Sequence, residues 1–212
     1  VVPTDIPQLW YHFKNVLVPC QWVKDMYETF EITENVNIHV WPVGIDTDKF
    51  SPGWVSKDND CLIYFKRGSE ETKQELIRLL DVYELSYELI TYGSYTEEQL
   101  IDVARRSRFC VTITGTESQG IAVQEIMSTD TPMFVWDIKE WNDQGDEWRV
   151  PATSIPYWSD ECGEVFYNVE DMEKTYDRFY AKIDTYQPRK YVEENLSLKK
   201  SVNTLLEILN AA

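Results

Sequence analysis

The sequence has few basic residues and no long apolar run. Its 20 lysines and arginines stand against 37 aspartates and glutamates, which gives a formal net charge of −17 at pH 7. Nucleic acids and anionic membranes select basic protein surfaces, so we expect neither as a partner. No apolar stretch approaches the roughly 20 residues that a membrane-spanning helix needs, and no membrane span is therefore predicted.

Signals for metal sites and for secretion are also lacking. The four cysteines are widely spaced, and no pair of them has the C-x-x-C spacing of zinc or redox sites. The chain begins with neither an initiator methionine nor a signal-peptide pattern. We therefore expect a cytoplasmic protein, and we expect this sequence to be a fragment of a longer one.

What the sequence does contain is a regular alternation of apolar runs and amphipathic segments. The predicted strands cover residues 61–65, 87–91, 109–114 and 132–136, and the helices between them begin near residues 69, 96 and 119. Such alternation predicts an α/β fold with a parallel sheet and flanking helices. Residues 137–168 are expected to be irregular, and a single last helix is expected over residues 191–209.

Polar and glycine-rich residues follow three of the predicted strands, at 66–68, 92–95 and 114–120. Ligands of open parallel sheets bind beyond the carboxyl ends of the strands, so we expect these segments to converge on one crevice. The third segment leads into a helix, whose free N–H groups favour a phosphate. Gly120 at that helix start lets the backbone approach a ligand closely.

Two carboxylates frame the same helix start. Glu117 lies just before the helix and Glu125 about two turns into it. Both are expected to be solvent-accessible and to accept hydrogen bonds from sugar hydroxyls. Because carboxylates repel phosphate, the predicted ligand carries its phosphates and its sugars at separate ends.

The segment from Glu117 to Glu125, ESQGIAVQE, resembles the E-x7-E motif of retaining GT-B glycosyltransferases, especially glycosyltransferase family 4. Gly120 matches the second glycine of that motif, and residues 131–135 match the proline and the strand that follow it. Residues 42–52 resemble the turn motif at the join between the two domains of the family. The resemblance covers roughly residues 16–137.

The resemblance implies a Rossmann-like donor domain that binds a nucleotide-diphosphate sugar and serves transfer of a hexose to a hydroxyl. It implies no metal and no other cofactor. It implies three catalytic residues, of which Glu117 contacts the transferred sugar, while Lys66 and Arg67 hold the diphosphate and stabilise the leaving group. The implied donor-binding residues are Gly93, Ser118, Gln119, Gly120, Ile121 and Glu125. The implied partners are a nucleotide sugar, a glycan, lipid or protein acceptor, and a missing N-terminal domain.

The sequence also departs from the family pattern. The family usually places an arginine and a lysine several residues apart after the first strand, whereas only Lys66-Arg67-Gly68 is present here. Ser118 and Gln119 replace the usual glycine and phenylalanine, and one strand–helix unit of the donor domain is lacking. The predicted parts are a remnant of the acceptor domain (1–45), a linker (46–60), the Rossmann-like domain (61–187) and a C-terminal helix (188–212).

Two other functions stay open on the sequence. One is a non-catalytic Rossmann-like module that binds a nucleotide or a sugar, and the other is a protein-interaction domain with an acidic surface. Four tryptophans also allow two interpretations, since they could stack on sugar faces or pack an irregular loop against the core. They are Trp136, Trp141, Trp148 and Trp158.

Overall fold

The computed structural model describes residues 12–30, 35–142 and 149–211. Its strands are β1 (Asn15–Val18), β2 (Asn37–Val40), β3 (Asn59–Lys66), β4 (Tyr87–Thr91), β5 (Ser107–Thr114), β6 (Met133–Trp136), β7 (Glu140–Asn142), β8 (Arg149–Pro151) and β9 (Gly163–Phe166). Its α-helices are α1 (Gln21–Glu28), α2 (Glu70–Val82), α3 (Glu97–Arg106), α4 (Ile121–Ser128), α5 (Val169–Ala181), α6 (Pro188–Asn195) and α7 (Leu198–Ala211).

A five-stranded parallel sheet with the order β4-β3-β5-β6-β9 forms the centre of the fold. Helices α2, α3 and α4 alternate with β3, β4, β5 and β6 along the chain. The predicted α/β fold with a parallel sheet and flanking helices is therefore confirmed.

Both faces of the sheet are buried at its inner strands β3 and β5, whereas the edge strand β4 is mostly exposed. Leu62 and Tyr64 of β3 pack on the face that α3, α4 and α6 cover, whereas Cys61 and Ile63 pack on the face that α2 and α5 cover. Successive residues of a strand point to opposite faces, so a strand buried on both sides is a continuous apolar run. The layered core thus follows from the run at residues 61–65.

The sequence also fixes where α2 and α3 begin. The Ser69 side chain accepts a hydrogen bond from the Thr72 backbone N–H at the start of α2. At the start of α3, Thr96 and Gln99 form the predicted capping box. Each cap satisfies backbone N–H groups that lack an intrahelical partner. The two helices therefore start at fixed positions shortly after β3 and β4.

The region 137–168, predicted to be irregular, contains three short strands, and that prediction is wrong. β7 and β8 form an antiparallel hairpin, and β9 extends the central sheet beside β6. β9 begins at Gly163, which has a φ of +152°, and a Cβ there would lie 1.7 Å from the Met133 carbonyl oxygen. Only glycine fits this approach, and a four-residue strand that begins with glycine shows no clear periodicity.

The single last helix predicted over residues 191–209 is two helices, α6 and α7. The Ile45 N–H donates to the Leu196 carbonyl at 2.8 Å, and the Leu198 N–H donates to the Ile45 carbonyl at 3.1 Å. These backbone groups pair with Ile45, the last residue of the predicted acceptor-domain remnant, instead of continuing one helix. A long-range contact, which helical periodicity cannot reveal, therefore divides the segment.

The N-terminal part forms a small unit of its own. β1 and β2 pair in parallel, and α1 packs beside them. Its buried residues, which include one from β8, are Val18, Cys20, Val23, Met26, Ile38 and Val150. The predicted boundaries at residues 45, 60 and 187 stay predictions, and residues 1–11 and 31–34 of the first part lie outside the described residues.

Candidate functional site

Residues at and just after the carboxyl ends of β3, β4 and β5 surround a cavity of about 350 Å³. Most of the predicted site residues line it, namely Lys66, Glu117, Ser118, Gln119, Gly120, Ile121 and Glu125. Tyr92 and Tyr95, from the predicted segment 92–95, and Tyr64, which sequence reasoning missed, complete its walls. The expected convergence of the three segments on one crevice is therefore present in the structure.

Lys66 and Glu117 form an ion pair in the cavity wall. The Lys66 Nζ lies 2.7 Å from one carboxylate oxygen of Glu117 and 2.9 Å from the other. The two side chains are only 22 % and 9 % exposed, so the expectation that Glu117 is solvent-accessible is wrong. Because little solvent or salt reaches this pair, the attraction between the two charges is weakly screened. The positive charge of Lys66 and the negative charge of Glu117 therefore compensate each other inside the cavity wall.

The Lys66 ammonium has a second partner in Tyr92. Its Nζ lies 4.5 Å from the centroid of the Tyr92 ring. A cation over a ring face is attracted by the ring quadrupole. Lys66 is thus held between a carboxylate and an aromatic ring at the cavity wall.

The loop that carries Glu117 is held on both sides by hydrogen bonds. The Glu117 N–H donates to the Thr153 carbonyl at 3.1 Å, and the Trp22 Nε1 donates to the Glu117 carbonyl at 2.9 Å. Two residues further on, the Gln119 side-chain oxygen accepts from the Val43 N–H at 3.1 Å. Contacts from distant segments therefore fix the loop backbone that carries the Glu117 side chain.

Helix α4 starts at Ile121, two residues later than predicted. Gly120 is its N-cap and has a left-handed backbone with a φ of +71°. A Cβ at this position would meet no atom closer than 3.8 Å, so the backbone conformation and not crowding requires glycine. Residues 120–123 line the cavity, and the unpaired N–H groups of a first helical turn attract anions.

Glu125 has an altered acidity. Burial raises the pKa of its carboxyl to about 7, and the positive charge of Lys49 opposes this shift only in part. At neutral pH the carboxyl is therefore protonated in a substantial fraction of molecules. The ammonium of Lys66 also compensates the charge of Glu117. The cavity is therefore less negative than its two glutamates suggest.

Replacing Glu125 with glutamine is expected to stabilise the protein at pH 8 but not at pH 4.5. The Glu125 carboxyl binds its proton more tightly in the folded protein than in the unfolded chain, because burial raises its pKa. The free energy of unfolding of the wild type therefore falls as pH rises from about 4.5 to 7. After a discount for the exposed part of the side chain, the gain is about 1 kcal/mol, or about 2–4 °C in melting temperature. Thermal unfolding at both pH values measures it. Glu207→Gln, on exposed α7, is the matched control, and an equal gain at both pH values would contradict the assignment.

Tyr64 and Tyr95 place hydroxyl groups at the same cavity. Their hydroxyl oxygens lie 3.3 Å apart, and their rings pack edge to face with centroids 6.0 Å apart. Burial raises the pKa of both hydroxyls, so both stay protonated at neutral pH. Tyr64 lies two residues before Lys66, and this spacing puts the two side chains on one face of β3. This two-residue spacing is the signal in the sequence that could have placed Tyr64 at the same site as Lys66.

Arg67 and Gly93 do not line this cavity. Arg67 has a left-handed backbone with a φ of 54° and lines a separate cavity of about 340 Å³. Gly93 has a φ of +82° and lies in an exposed turn. Their implied contacts with the donor stay predictions.

The tryptophans have different environments. Trp141 lines the same separate cavity as Arg67. The Trp136 Nε1 donates to the Tyr167 carbonyl at 3.2 Å, and Trp158 packs against the core. Trp148 lies outside the described residues.

Neither a metal cluster nor a membrane helix is found in the parts of the chain that the structure describes. Within residues 12–30, 35–142 and 149–211, no group of three His, Cys, Asp or Glu side chains could hold a metal ion. None of the helices in these ranges is long and apolar enough to cross a membrane. The predicted independence of a metal stays a prediction.

Known proteins resemble the chain in structure but not in sequence. No protein-family model and no curated protein matches the sequence. Sucrose-phosphate synthase from Thermosynechococcus elongatus is 12 % identical, with a TM-score of 0.60 over 93 % of this chain and 58 % of that one. TarM is 15 % identical, with a TM-score of 0.61 over 97 % of this chain and 45 % of that one.

A third neighbour is the GtfA/B complex, at 14 % identity and a TM-score of 0.58 over 93 % of this chain and 45 % of that one. The chain spans about half the length of these neighbours. At such low identity the likeness shows the fold alone. The chain has the Rossmann-like α/β fold of these GT-B structures.

Proposed function

We propose that this chain binds the donor of a retaining glycosyltransferase, which moves a hexose from a nucleotide-diphosphate sugar to a hydroxyl acceptor. The observation that carries the proposal is the Lys66–Glu117 ion pair beside the start of α4, in the same cavity as Glu125. The fold shared with GT-B structures supports it. The resemblance of residues 117–125 to the E-x7-E motif supports it independently of the fold.

Charge decides how the donor lies in the cavity. The diphosphate belongs beside Lys66 and the first turn of α4, where a cation and free N–H groups attract it. The ribose then reaches Glu125 deeper along the helix, and the hexose reaches Glu117 on the loop. Because Lys66 neutralises Glu117 and burial keeps Glu125 partly protonated, two glutamates do not repel the diphosphate.

The transfer itself exchanges one bond at the anomeric carbon. The acceptor hydroxyl oxygen forms a bond to that carbon, and the bond from the carbon to the diphosphate oxygen breaks. The hydroxyl proton leaves with the departing diphosphate. Lys66 and the N–H groups of α4 stabilise the negative charge that develops on this leaving group.

Transfer also needs the acceptor to be held against the donor. Positioning two reactants supplies up to about 7–11 kcal/mol of catalysis. The structural neighbours are about twice as long as this chain. We therefore propose that a second domain completes the acceptor side of the cleft.

Calorimetric titration with nucleotides tests the proposed function. UDP or GDP is expected to bind, and uridine or guanosine to bind at least tenfold more weakly, because only the diphosphates meet Lys66 and the start of α4. Inorganic pyrophosphate serves as the control for binding through charge alone and is expected to bind more weakly than the nucleotide. Absence of binding for both nucleoside diphosphates would reject a nucleotide site and favour the protein-interaction alternative.

A further inference from the structure

The edge strand β4 leaves part of its backbone unpaired. Its parallel ladder with β3 starts with a hydrogen bond from the Cys61 N–H to the Ser86 carbonyl. Alternate residues of a strand bond the same neighbour, so residues 86, 88 and 90 bond β3. The N–H and C=O groups of Tyr87 and Leu89 therefore point to the open edge, where no residue within the described ranges pairs with them. Such a row of free groups is a template for another strand.

A cavity of about 740 Å³ runs along this edge, between β4 and α3. Four consecutive residues of β4, 88–91, line it. Successive side chains of a strand point to opposite faces, so a run of consecutive residues shares one cavity along the backbone edge of the strand. The cavity therefore gives access to the free N–H and C=O groups of β4, which recur every second residue, as do those of an extended peptide.

The side of this cavity that faces α3 is acidic. It is lined by three carboxylates and one cation, namely Glu88, Glu98, Asp102 and Arg106. Arg106 already lies 2.8 Å from a Glu88 oxygen and 3.0 Å from an Asp102 oxygen, and it also pairs with Asp58. One guanidinium thus serves several carboxylates, and the excess of negative charge attracts cations to this side of β4.

The opposite face of β4 exposes large hydrophobic side chains. Tyr87 and Leu89 lie there, in register with buried residues of β3 that pack under α2 and α5. Their side chains are 37 % and 44 % exposed, and Val82 at the end of α2 is 75 % exposed. β4 contains neither lysine nor proline, the residues with which edge strands commonly prevent pairing. The open edge is therefore bordered by an acidic side and an apolar side.

We propose that the edge of β4 binds an extended segment of a partner protein as an added strand, in which lysines or arginines alternate with apolar residues. The alternation follows from the two-residue period of a strand, which turns the cations toward Glu98 and Asp102 and the apolar side chains toward Leu89. A second copy of the chain is disfavoured, because its β4 edge carries the same carboxylates and each chain has a net charge of −17. The inference goes beyond the proposed function and does not rest on it.

Synthetic peptides test the inference. The probe is a fluorescent peptide of four Lys-Val repeats, and its controls are a peptide of four Glu-Val repeats and a Lys-Val peptide with methylated backbone nitrogens. Fluorescence anisotropy is expected to show the probe binding at least about tenfold more tightly than either control, because one control reverses the charge and the other lacks the N–H donors. Absence of binding by the probe, or an affinity equal to that of either control, would overturn the proposal.

Charge reversal assigns the binding to this edge. The double variant Glu98→Lys with Asp102→Lys is expected to weaken the Lys-Val peptide at least about tenfold and to strengthen the Glu-Val peptide. Its control is Glu173→Lys with Glu207→Lys, which makes the same change in net charge on α5 and α7, outside the cavity lining. This control is expected to keep the affinity within about threefold. Equal weakening in both double variants would show attraction to an acidic chain in general and overturn the proposal.

Leu89→Pro tests the backbone contribution. It removes an N–H group that points to the open edge and not to β3, so the sheet keeps its hydrogen bonds. The Lys-Val peptide is expected to bind at least about tenfold more weakly, and an unchanged affinity in the folded variant would overturn strand addition. If the variant does not fold, the charge-reversed variant and the methylated peptide decide. Sedimentation is expected to show no dimer through this edge, and a dimer that Leu89→Pro dissociates would make a second copy the occupant and overturn the proposal.

Discussion

Replacing Lys66 with methionine is expected to lower the melting temperature by about 4–12 °C. Lys66 is the cation that compensates the carboxylate of Glu117, whose side chain is only 9 % exposed. Removing one partner of a buried ion pair costs about 3–5 kcal/mol, and the partial exposure of Lys66 reduces this to about 2–3 kcal/mol. A domain of this size loses about 2–4 °C per kcal/mol, and thermal unfolding at pH 7 measures the loss.

A second substitution identifies the cause of that loss. Glu117→Gln in the Lys66→Met background removes the uncompensated charge and is expected to restore at least half of the lost stability. Lys190→Met is the control, because Lys190 and Glu161 form an exposed pair at 3.7 Å and exposed pairs contribute little. If Glu117→Gln lowers the stability of Lys66→Met further, the pair does not hold the cavity wall together.

Glu125→Gln and Glu117→Gln are expected to affect different ligands. A hydrogen bond between a charged group and a hydroxyl contributes roughly 1.5–3 kcal/mol, or roughly 10–150-fold in affinity. Glu125→Gln is expected to weaken UDP or GDP itself by at least about tenfold at pH 8. The loss is smaller at pH 6, where the wild-type carboxyl, with its pKa of about 7, is mostly protonated. Calorimetric titration at both pH values measures the difference.

Glu117→Gln is expected to leave the affinity for UDP or GDP unchanged or stronger, because it releases Lys66 for the diphosphate. Glu117→Gln is instead expected to lower the affinity for the nucleotide sugar, because the hexose no longer contacts a carboxylate. Glu207→Gln again serves as the control for a removed surface charge. If Glu125→Gln and Glu117→Gln lose equal affinity for the nucleoside diphosphate and for the nucleotide sugar, the two glutamates do not have separate roles. If neither variant loses affinity for either ligand, the assignment of residues 117–125 as a glycosyltransferase motif is rejected.

Many of the sheet's strands could be predicted because the strands and the helices between them depend on local signals. The apolar run at residues 61–65 and the caps at Ser69 and Thr96 lie within the segments that they define. β9 could not be predicted, because its pairing with β6 depends on a close approach between Gly163 and Met133, far apart in sequence. The break between α6 and α7 likewise depends on backbone pairing with Ile45.

The candidate site shows the same division. The positions of Glu117, Gly120 and Glu125 around a helix start follow from strand–loop–helix order, and the structure brings them to one cavity. The burial of Glu117 could not be predicted, because Lys66, Thr153 and Trp22 reach it from three other segments. Adjacent in sequence, Lys66 and Arg67 line different cavities, since the left-handed backbone of Arg67 turns the chain between them.

A crystal structure of the protein soaked with a UDP-sugar and with a GDP-sugar tests the central claim most directly. The account predicts one of them in the cavity of about 350 Å³, with its diphosphate within hydrogen-bonding distance of Lys66 and its ribose at Glu125. A larger cavity of about 740 Å³ lies between β4 and α3 and offers the clearest alternative site. A nucleotide bound there, or a diphosphate that avoids Lys66, would contradict the account.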